Sequence, residues 1–200
     1  TRTVTVMKGW LGKMKDGAPE WWNLGSGEGG GFAMNDSITA CVNALRSVLV
    51  HLETSGRKLI HLTDQELAEA VVSPYGEAVA NYFANLSLDE RKRYRDLRGV
   101  QGQTTRTRRL QQAIRGKVTS FNPSGLDEFI NSEKEQTNLK AKLLIDRLEG
   151  MLKKVVIEEL KQEFTTDENA WWQEGVPQKV RLEVAHRCEA DNNKRGGREA

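Results

Sequence analysis

Apolar residues recur along most of this chain at the three- and four-residue spacing that is typical of amphipathic α-helices. The clearest early stripe follows a capping residue at Asn35 or Asp36 and stops before Gly56. It consists of Ile38, Cys41, Val42, Leu45, Val48, Leu49 and Leu52. Alternating, strand-like patterns are short and few, and Thr1 to Val6 is the clearest of them. We therefore predict an all-α protein.

Short sequence signals divide the first half of the chain into several helices. Thr63–Glu66 and Ser87–Glu90 both have the hydroxyl-x-x-Glu pattern of a capping box, which predicts a helix start at each. Ser73-Pro74 interrupts the helix that the first box begins, because proline clashes with a preceding helical turn. Short helices joined by short turns predict a multi-helical array over residues 1–119.

A much longer helix is predicted from Leu126 to Phe164, a stretch without proline. Its second half carries the wide apolar stripe of a bundle helix, made of Leu139, Leu143, Leu144, Leu148, Met151, Leu152, Val155, Val156 and Leu160. A last helix is expected from about Pro177 to Ala190. We place a helical bundle segment with one long helix at 120–200, and its stripe also fits a structural module that forms a homodimer.

Charge is distributed unevenly along the sequence. The 200 residues contain 30 Lys or Arg and 28 Asp or Glu, a net charge of +2 that points to no particular partner. Between Arg91 and Lys117, however, ten basic residues stand against Asp96 alone, a net of +9 that leaves -7 for the rest. Such a segment favours contact with nucleic-acid phosphates, DNA or RNA.

The basic segment supplies our candidate nucleic-acid-binding residues, which are Arg91, Arg95, Arg98, Arg106, Arg108, Arg109, Arg115 and Lys117. Gly99–Gly102 is expected to form a turn between two helices, with Arg91, Arg95 and Arg98 on one face of the first. The alternative is a solvated face whose arginines pair with carboxylates of this chain or of a protein partner. Tyr94 is the only ring in the segment, which does not indicate stacking on single strands.

Other chemistries have weaker sequence support. Cys41 and Cys188 are far apart and belong to no metal-binding spacing, so we expect no metal, no cofactor and a reducing, cytoplasmic compartment. The chain has no apolar run long enough for a bilayer and no signal peptide, so we expect no membrane association. Gly25–Gly31 is expected to be a surface loop, because the Gly-Lys-Ser/Thr ending of a phosphate-binding loop is missing. The ends of the chain suggest a segment of a longer protein.

Four strings together resemble the region downstream of the signature in bacterial DGQHR-domain proteins: Gly29-Gly-Gly-Phe-Ala-Met-Asn35, Leu97-Arg-Gly-Val-Gln-Gly-Gln-Thr-Thr105, Gln136-Thr-Asn-Leu-Lys-Ala-Lys142 and Trp171-Trp-Gln-Glu-Gly-Val-Pro177. From about residue 124 the chain also resembles a HEPN-type helical domain. The Asp-Gly-Gln-His-Arg signature itself does not occur here. The resemblance implies a setting in bacterial DNA-modification and defence systems, with protein partners from such a system.

The HEPN resemblance also implies a candidate catalytic pair. HEPN ribonucleases use an Arg and a His four to six residues apart, and Arg181 and His186 have this spacing in the last predicted helix. His186 would be a metal-independent general acid or base, and Arg181 would stabilise charge on the phosphate. The spacing is not specific, because Arg46 and His51 match it too, and Leu182 replaces the polar residue that usually follows the Arg. We therefore expect a non-catalytic binding region, with a ribonuclease and a dimerisation module as alternatives.

Overall fold

The computed structural model describes residues 1–25, 30–31, 35–165 and 167–196. Within these ranges all regular structure is helical, which confirms the predicted all-α class, the helical array and the one long helix. The helices are α1 (Arg2–Gly17), α2 (Pro19–Asn23), α3 (Asn35–Thr54), α4 (Asp64–Val71), α5 (Glu77–Ala84), α6 (Leu88–Asp96), α7 (Gly99–Lys117), α8 (Leu126–Glu163), α9 (Ala170–Gln173) and α10 (Gln178–Gly196). A 3-10 turn at Leu59–His61 and a π-helical turn at Val72–Gly76 complete them.

The chain divides into two compact units, Thr1–Lys134 and Glu135–Ala200. The first unit contains the hydrophobic core, in which α3 packs on α7 and α1 packs on α4 and α5. The boundary between these two units lies inside α8, and Phe121 and Leu126 are fully buried in the first unit. The division at residues 119 and 120 stays a prediction. The largest buried side chains of the first unit include that of Trp10, whose Nε1 donates to the Cys41 carbonyl at 3.1 Å.

Both predicted capping boxes are confirmed. The Thr63 hydroxyl accepts from the Glu66 amide at 3.2 Å, and the Glu66 carboxylate accepts in return from the Thr63 amide at 2.8 Å. Ser87 and Glu90 repeat this exchange at 3.3 and 2.8 Å. These bonds satisfy amide groups that the first helical turn leaves without partners, which fixes where α4 and α6 begin.

Two local predictions differ from the structure. Thr1 to Val6 is not a strand, since α1 begins at Arg2 and buries Val6 together with Trp10 and Met14 at four-residue spacing. The burial of this helical stripe outweighs the β preference of threonine and valine. The expected turn at Gly99–Gly102 is instead the first turn of α7, and only Gly99 has the positive φ of a turn residue, +66°.

The predicted glycine-rich loop falls mostly outside the described residues, which omit 26–29. Trp21, just before it, is 1% exposed, while Trp22 is half-buried against the same core. One ring of the pair is thus inside the core and the other lies at its edge.

The second unit has little core of its own. Among its described residues only Ala170 is buried, and Leu160 and Phe164 pack closely around Gly175. The apolar residues in the second half of α8 are more than half exposed, from Leu139 to Val156. None of the described helices combines the length and apolar character needed to cross a membrane.

Candidate anion-binding cleft

A polar cleft of about 710 Å³ lies in the first unit between α3, α7 and the segment that follows α7. One face of each helix lines it, at the three- and four-residue spacing of a helical stripe. The lining residues are Asn43, Arg46, Ser47, Val50, His51 and Thr54 from α3, Val100, Gln103, Thr104, Thr107, Arg108 and Gln111 from α7, and Asn122, Pro123 and Ser124. None of these lining residues is Asp or Glu, and Arg46 and Arg108 are their charged members. Two carboxylates lie directly behind the lining, where Asp36 accepts from Gln103 at 2.6 Å and Asp127 accepts from Asn122 at 2.7 Å.

A chain of hydrogen bonds crosses the cleft from α7 to α3 and positions its central arginine. Arg108 Nη1 donates to Gln111 Oε1 at 2.8 Å, and Gln111 Nε2 donates to the Ser47 hydroxyl at 2.8 Å. The Ser47 hydroxyl in turn donates to the Asn43 carbonyl at 3.0 Å. Gln111 is only 4% exposed, so this series of hydrogen bonds anchors the Arg108 guanidinium to the buried floor of the cleft. Because the bonding partners are neutral, Arg108 keeps its positive charge.

Gly125 limits the position of Arg108 from the other side. A side-chain carbon at Gly125 would collide with the Arg108 guanidinium, and the φ of Gly125 is +78°. The absence of a side chain at Gly125 thus leaves room for the Arg108 guanidinium beside the backbone that leads into α8. Arg108 is therefore held by its neighbours and remains half-buried, with donors left for a ligand.

Arg46 and His51 contribute the other basic groups of the cleft. Arg46 is exposed, and His51 is half-buried with its ring edge-to-face against Phe121 at 5.4 Å and Tyr75 at 6.0 Å. The aromatic contacts fix the imidazole at the cleft wall. The structure thus brings Arg46, His51 and Arg108 to one cavity, although the sequence placed only Arg108 among the binding residues.

Arg106 corrects the predicted binding set. Its side chain is 0% exposed, so it contacts no surface ligand. Nε and Nη2 donate to the carbonyls of Tyr94, Arg95 and Leu97 at 3.1, 3.1 and 2.8 Å. Nη1 donates to the Ser37 hydroxyl at 3.0 Å. The guanidinium therefore caps the C-terminal end of α6, whose last carbonyls have no partner within the helix.

Three more of the predicted arginines pair with carboxylates of the same unit. Arg91 lies 3.6 Å from Glu20, and Arg109 lies 3.6 Å from Glu133. Arg115 pairs with Asp127, and with Asn122 it lowers the pKa of that carboxyl. These contacts are of the kind expected in the alternative in which the arginines pair with carboxylates of this chain.

The remaining predicted residues lie at the ends of helices or beside them. Arg98 is exposed but precedes α7 and does not share a helical face with Arg91 and Arg95, because α6 ends at Asp96. Arg95 is half-buried, and Lys117 is exposed at the last position of α7.

The predicted catalytic pair lies in α10 of the second unit. Arg181 Nη1 donates to Gln173 Oε1 at 2.7 Å, whereas His186 is exposed in a shallow surface depression formed by α10 alone. Five positions separate the two residues, which turns their side chains about 140° apart around the helix. Catalysis by Arg181 and His186 stays a prediction that this arrangement does not test.

Within the described part of the chain, no three His, Cys, Asp or Glu side chains come together as metal ligands would. Burial raises the pKa of the Cys41 thiol to about 12, so this thiol is neither a ligand nor a nucleophile at neutral pH. The cleft residues are donors suited to oxygen atoms of an anion.

The sequence contains a pattern that indicates the cleft residues Arg46 and His51, which were not among the predicted binding residues. The apolar stripe of α3 leaves Asn43, Arg46, Ser47 and Thr54 together on another face, and Arg108 and Gln111 lie three apart on α7. Each stripe taken alone looks like an ordinary solvated helix face. Only the packing of α3 on α7 turns the two stripes into one cavity.

Comparisons with known proteins give no relative from which to transfer a function. No family model matches the chain, and neither the curated proteins nor the solved structures contain a match to it. The resemblance to DGQHR-domain and HEPN proteins therefore stays a prediction from its motifs.

Proposed function

We propose that this chain is a non-catalytic nucleic-acid-binding region that holds the phosphate backbone in the α3–α7 cleft. The observation that carries the proposal is the set of Arg46, His51 and Arg108 in a cavity lined otherwise by neutral residues. Guanidinium groups match phosphate oxygens, and hydroxyl and amide side chains supply the further contacts that nucleic-acid backbones receive. The volume of about 710 Å³ lies within the range of ordinary ligand sites.

The proposal assigns binding to far fewer residues than the basic segment contains. Arg91, Arg109 and Arg115 already have carboxylate partners, and Arg106 is buried. Arg98 and Lys117 are exposed and can extend the contact beyond the cleft. The motif resemblance suggests DNA in a modification or defence system as the setting, together with protein partners from that system.

Fluorescence anisotropy with labelled 20-nucleotide single strands and 20-base-pair duplexes, of both DNA and RNA, tests the proposal at about 50 mM salt. We expect binding that weakens as salt rises, because released counterions drive phosphate contacts. The double variant Arg46→Ala/Arg108→Ala should lose at least about tenfold in affinity and show a shallower salt slope, by about two phosphate contacts.

A charge-matched control separates the cleft from general electrostatics. Arg57→Ala/Arg93→Ala removes two exposed arginines of the same unit that do not line the cleft. This control should change affinity much less than the cleft variant. Absence of binding to all four nucleic acids, or equal losses in the two double variants, would contradict the proposal.

A further inference from the structure

The second half of α8 has an apolar face that its own unit leaves uncovered. The α8 stripe, as we call it, consists of Leu144, Ile145, Leu148, Leu152, Val155 and Val156, whose exposed fractions run from 53% to 63%. Their spacing of three and four residues puts all six on one side of the helix. Soluble chains rarely expose a continuous apolar face of this length, which marks it as an interaction surface.

The six residues of the α8 stripe are placed symmetrically about Gly150. Leu144 and Val156, Ile145 and Val155, and Leu148 and Leu152 lie at equal distances before and after it. When two copies of a helix pair antiparallel about a two-fold axis, the residue before the centre meets the residue after it on the partner. In such a pair, every apolar residue of the α8 stripe lies level with an apolar residue of the second α8. The two-fold axis then passes between the helices at the level of Gly150.

Charges at the edges of the α8 stripe favour the same arrangement. Lys140 and Glu158 lie on one edge of it, ten residues before and eight residues after Gly150. In an antiparallel pair Lys140 of one copy faces Glu158 of the other, and on the opposite edge Glu149 faces Lys153. A parallel, in-register pair would instead bring the Lys140 side chains of the two copies to the same level, where they repel each other.

We infer that this chain forms a homodimer through antiparallel pairing of the second half of α8. Burying one large apolar side chain removes on the order of 100 Å² from water, so half-exposed stripes from two copies bury about 600 Å² of apolar surface. This area is below the roughly 1,200 Å² at which stable, specific interfaces begin, and it corresponds to a weak, transient contact. The dimer should therefore dissociate at micromolar concentrations. The inference does not depend on nucleic-acid binding, since the α8 stripe lies outside the unit that holds the cleft.

Analytical ultracentrifugation of the 200-residue chain over about 1 to 100 μM gives the first test. We expect a concentration-dependent monomer–dimer equilibrium that Leu148→Glu weakens by at least about tenfold. Leu143→Glu is the matched control, because Leu143 is 60% exposed, as Leu148 is 57% exposed, but lies on the opposite side of α8. Circular dichroism establishes that both variants keep their helices. A monomer throughout this range, or equal effects of the two variants, would overturn the inference.

Disulfide trapping tests the orientation in a Cys188→Ser background, which removes the exposed native thiol. An equimolar mixture of Lys140→Cys and Glu158→Cys chains should form mixed disulfides well above the level of either variant alone. In a parallel dimer the two positions are about 27 Å apart along the axis, because each residue advances the helix by about 1.5 Å. Self-linked Lys140→Cys dimers that exceed the mixed product would overturn the antiparallel pairing.

Discussion

The guanidinium of Arg106 lies 4.9 Å above the ring centre of Tyr94 and donates to the carbonyl of the same residue at 3.1 Å. This contact joins α7 to the end of α6 inside the core of the first unit. No carboxylate lies within ion-pair distance of Arg106 among the described residues. The buried positive charge is instead balanced by carbonyl dipoles at the C-terminal end of α6 and by the face of the ring.

We expect Arg106→Ala to destabilise the protein strongly, because it leaves three carbonyls and the Ser37 hydroxyl without their donor inside the core. Loss of a buried charged group that donates four hydrogen bonds costs about 3 to 5 kcal/mol. Urea unfolding followed by circular dichroism measures the change. Arg98→Ala is the control, since Arg98 is exposed and its loss should cost under about 0.5 kcal/mol. A loss of less than about 1 kcal/mol for Arg106→Ala would contradict this account.

The contact between α6 and α7 around Arg106 also shows which features could be predicted from the sequence and which could not. Helix starts at Thr63 and Ser87 were predictable because a capping box is a local exchange of hydrogen bonds. The burial of Arg106 could not be predicted from the sequence, because its hydrogen-bond partners on α6 and α3 lie outside its own helix. An arginine side chain also usually stays at the surface.

The candidate site was predicted only in part for the same physical reason. A basic segment can be counted from the sequence, but pairing of Arg91 with Glu20 or Arg109 with Glu133 depends on tertiary packing. Conversely, Arg46 lies outside the segment and reaches the cleft because α3 packs on α7. Local chemistry therefore predicted the helices, whereas long-range contacts decided which arginines face a ligand.

Two glycines of α7 should respond oppositely to alanine. A side-chain carbon at Gly102 would lie 2.6 Å from the Leu97 carbonyl carbon, while one at Gly116 meets nothing within 4 Å. Gly102→Ala should therefore force the α6–α7 corner apart and cost about 1 to 3 kcal/mol. Gly116→Ala should stabilise by about 0.5 to 1 kcal/mol, because alanine is the better helix former. Thermal unfolding of both variants gives the comparison, and a Gly102→Ala variant that is as stable as the wild type or more stable would contradict the close approach of Gly102 to Leu97.

The two cysteines should differ sharply in reactivity. Cys188 is exposed, whereas Cys41 is fully buried and its pKa is raised by burial from 9.0 to about 12. At pH 8 a thiol reagent such as DTNB should modify one cysteine per folded chain and a second only in denaturant. Cys188→Ser should abolish the fast phase, and Cys41→Ala should remove the second phase. Two fast thiols in the native protein would show that Cys41 is accessible.

The raised pKa of Cys41 also predicts a loss of stability in alkali. Because the folded pKa lies above the unfolded value, the folded state binds more protons between pH 9 and about 12. Ionisation of the unfolded thiol therefore favours unfolding in this window, and below pH 9 the contribution is fully present. Comparing urea unfolding of the wild type and Cys41→Ala at pH 8 and pH 10 isolates it, since the variant should lose less stability between the two. Equal losses would show that the thiol does not contribute to this pH dependence.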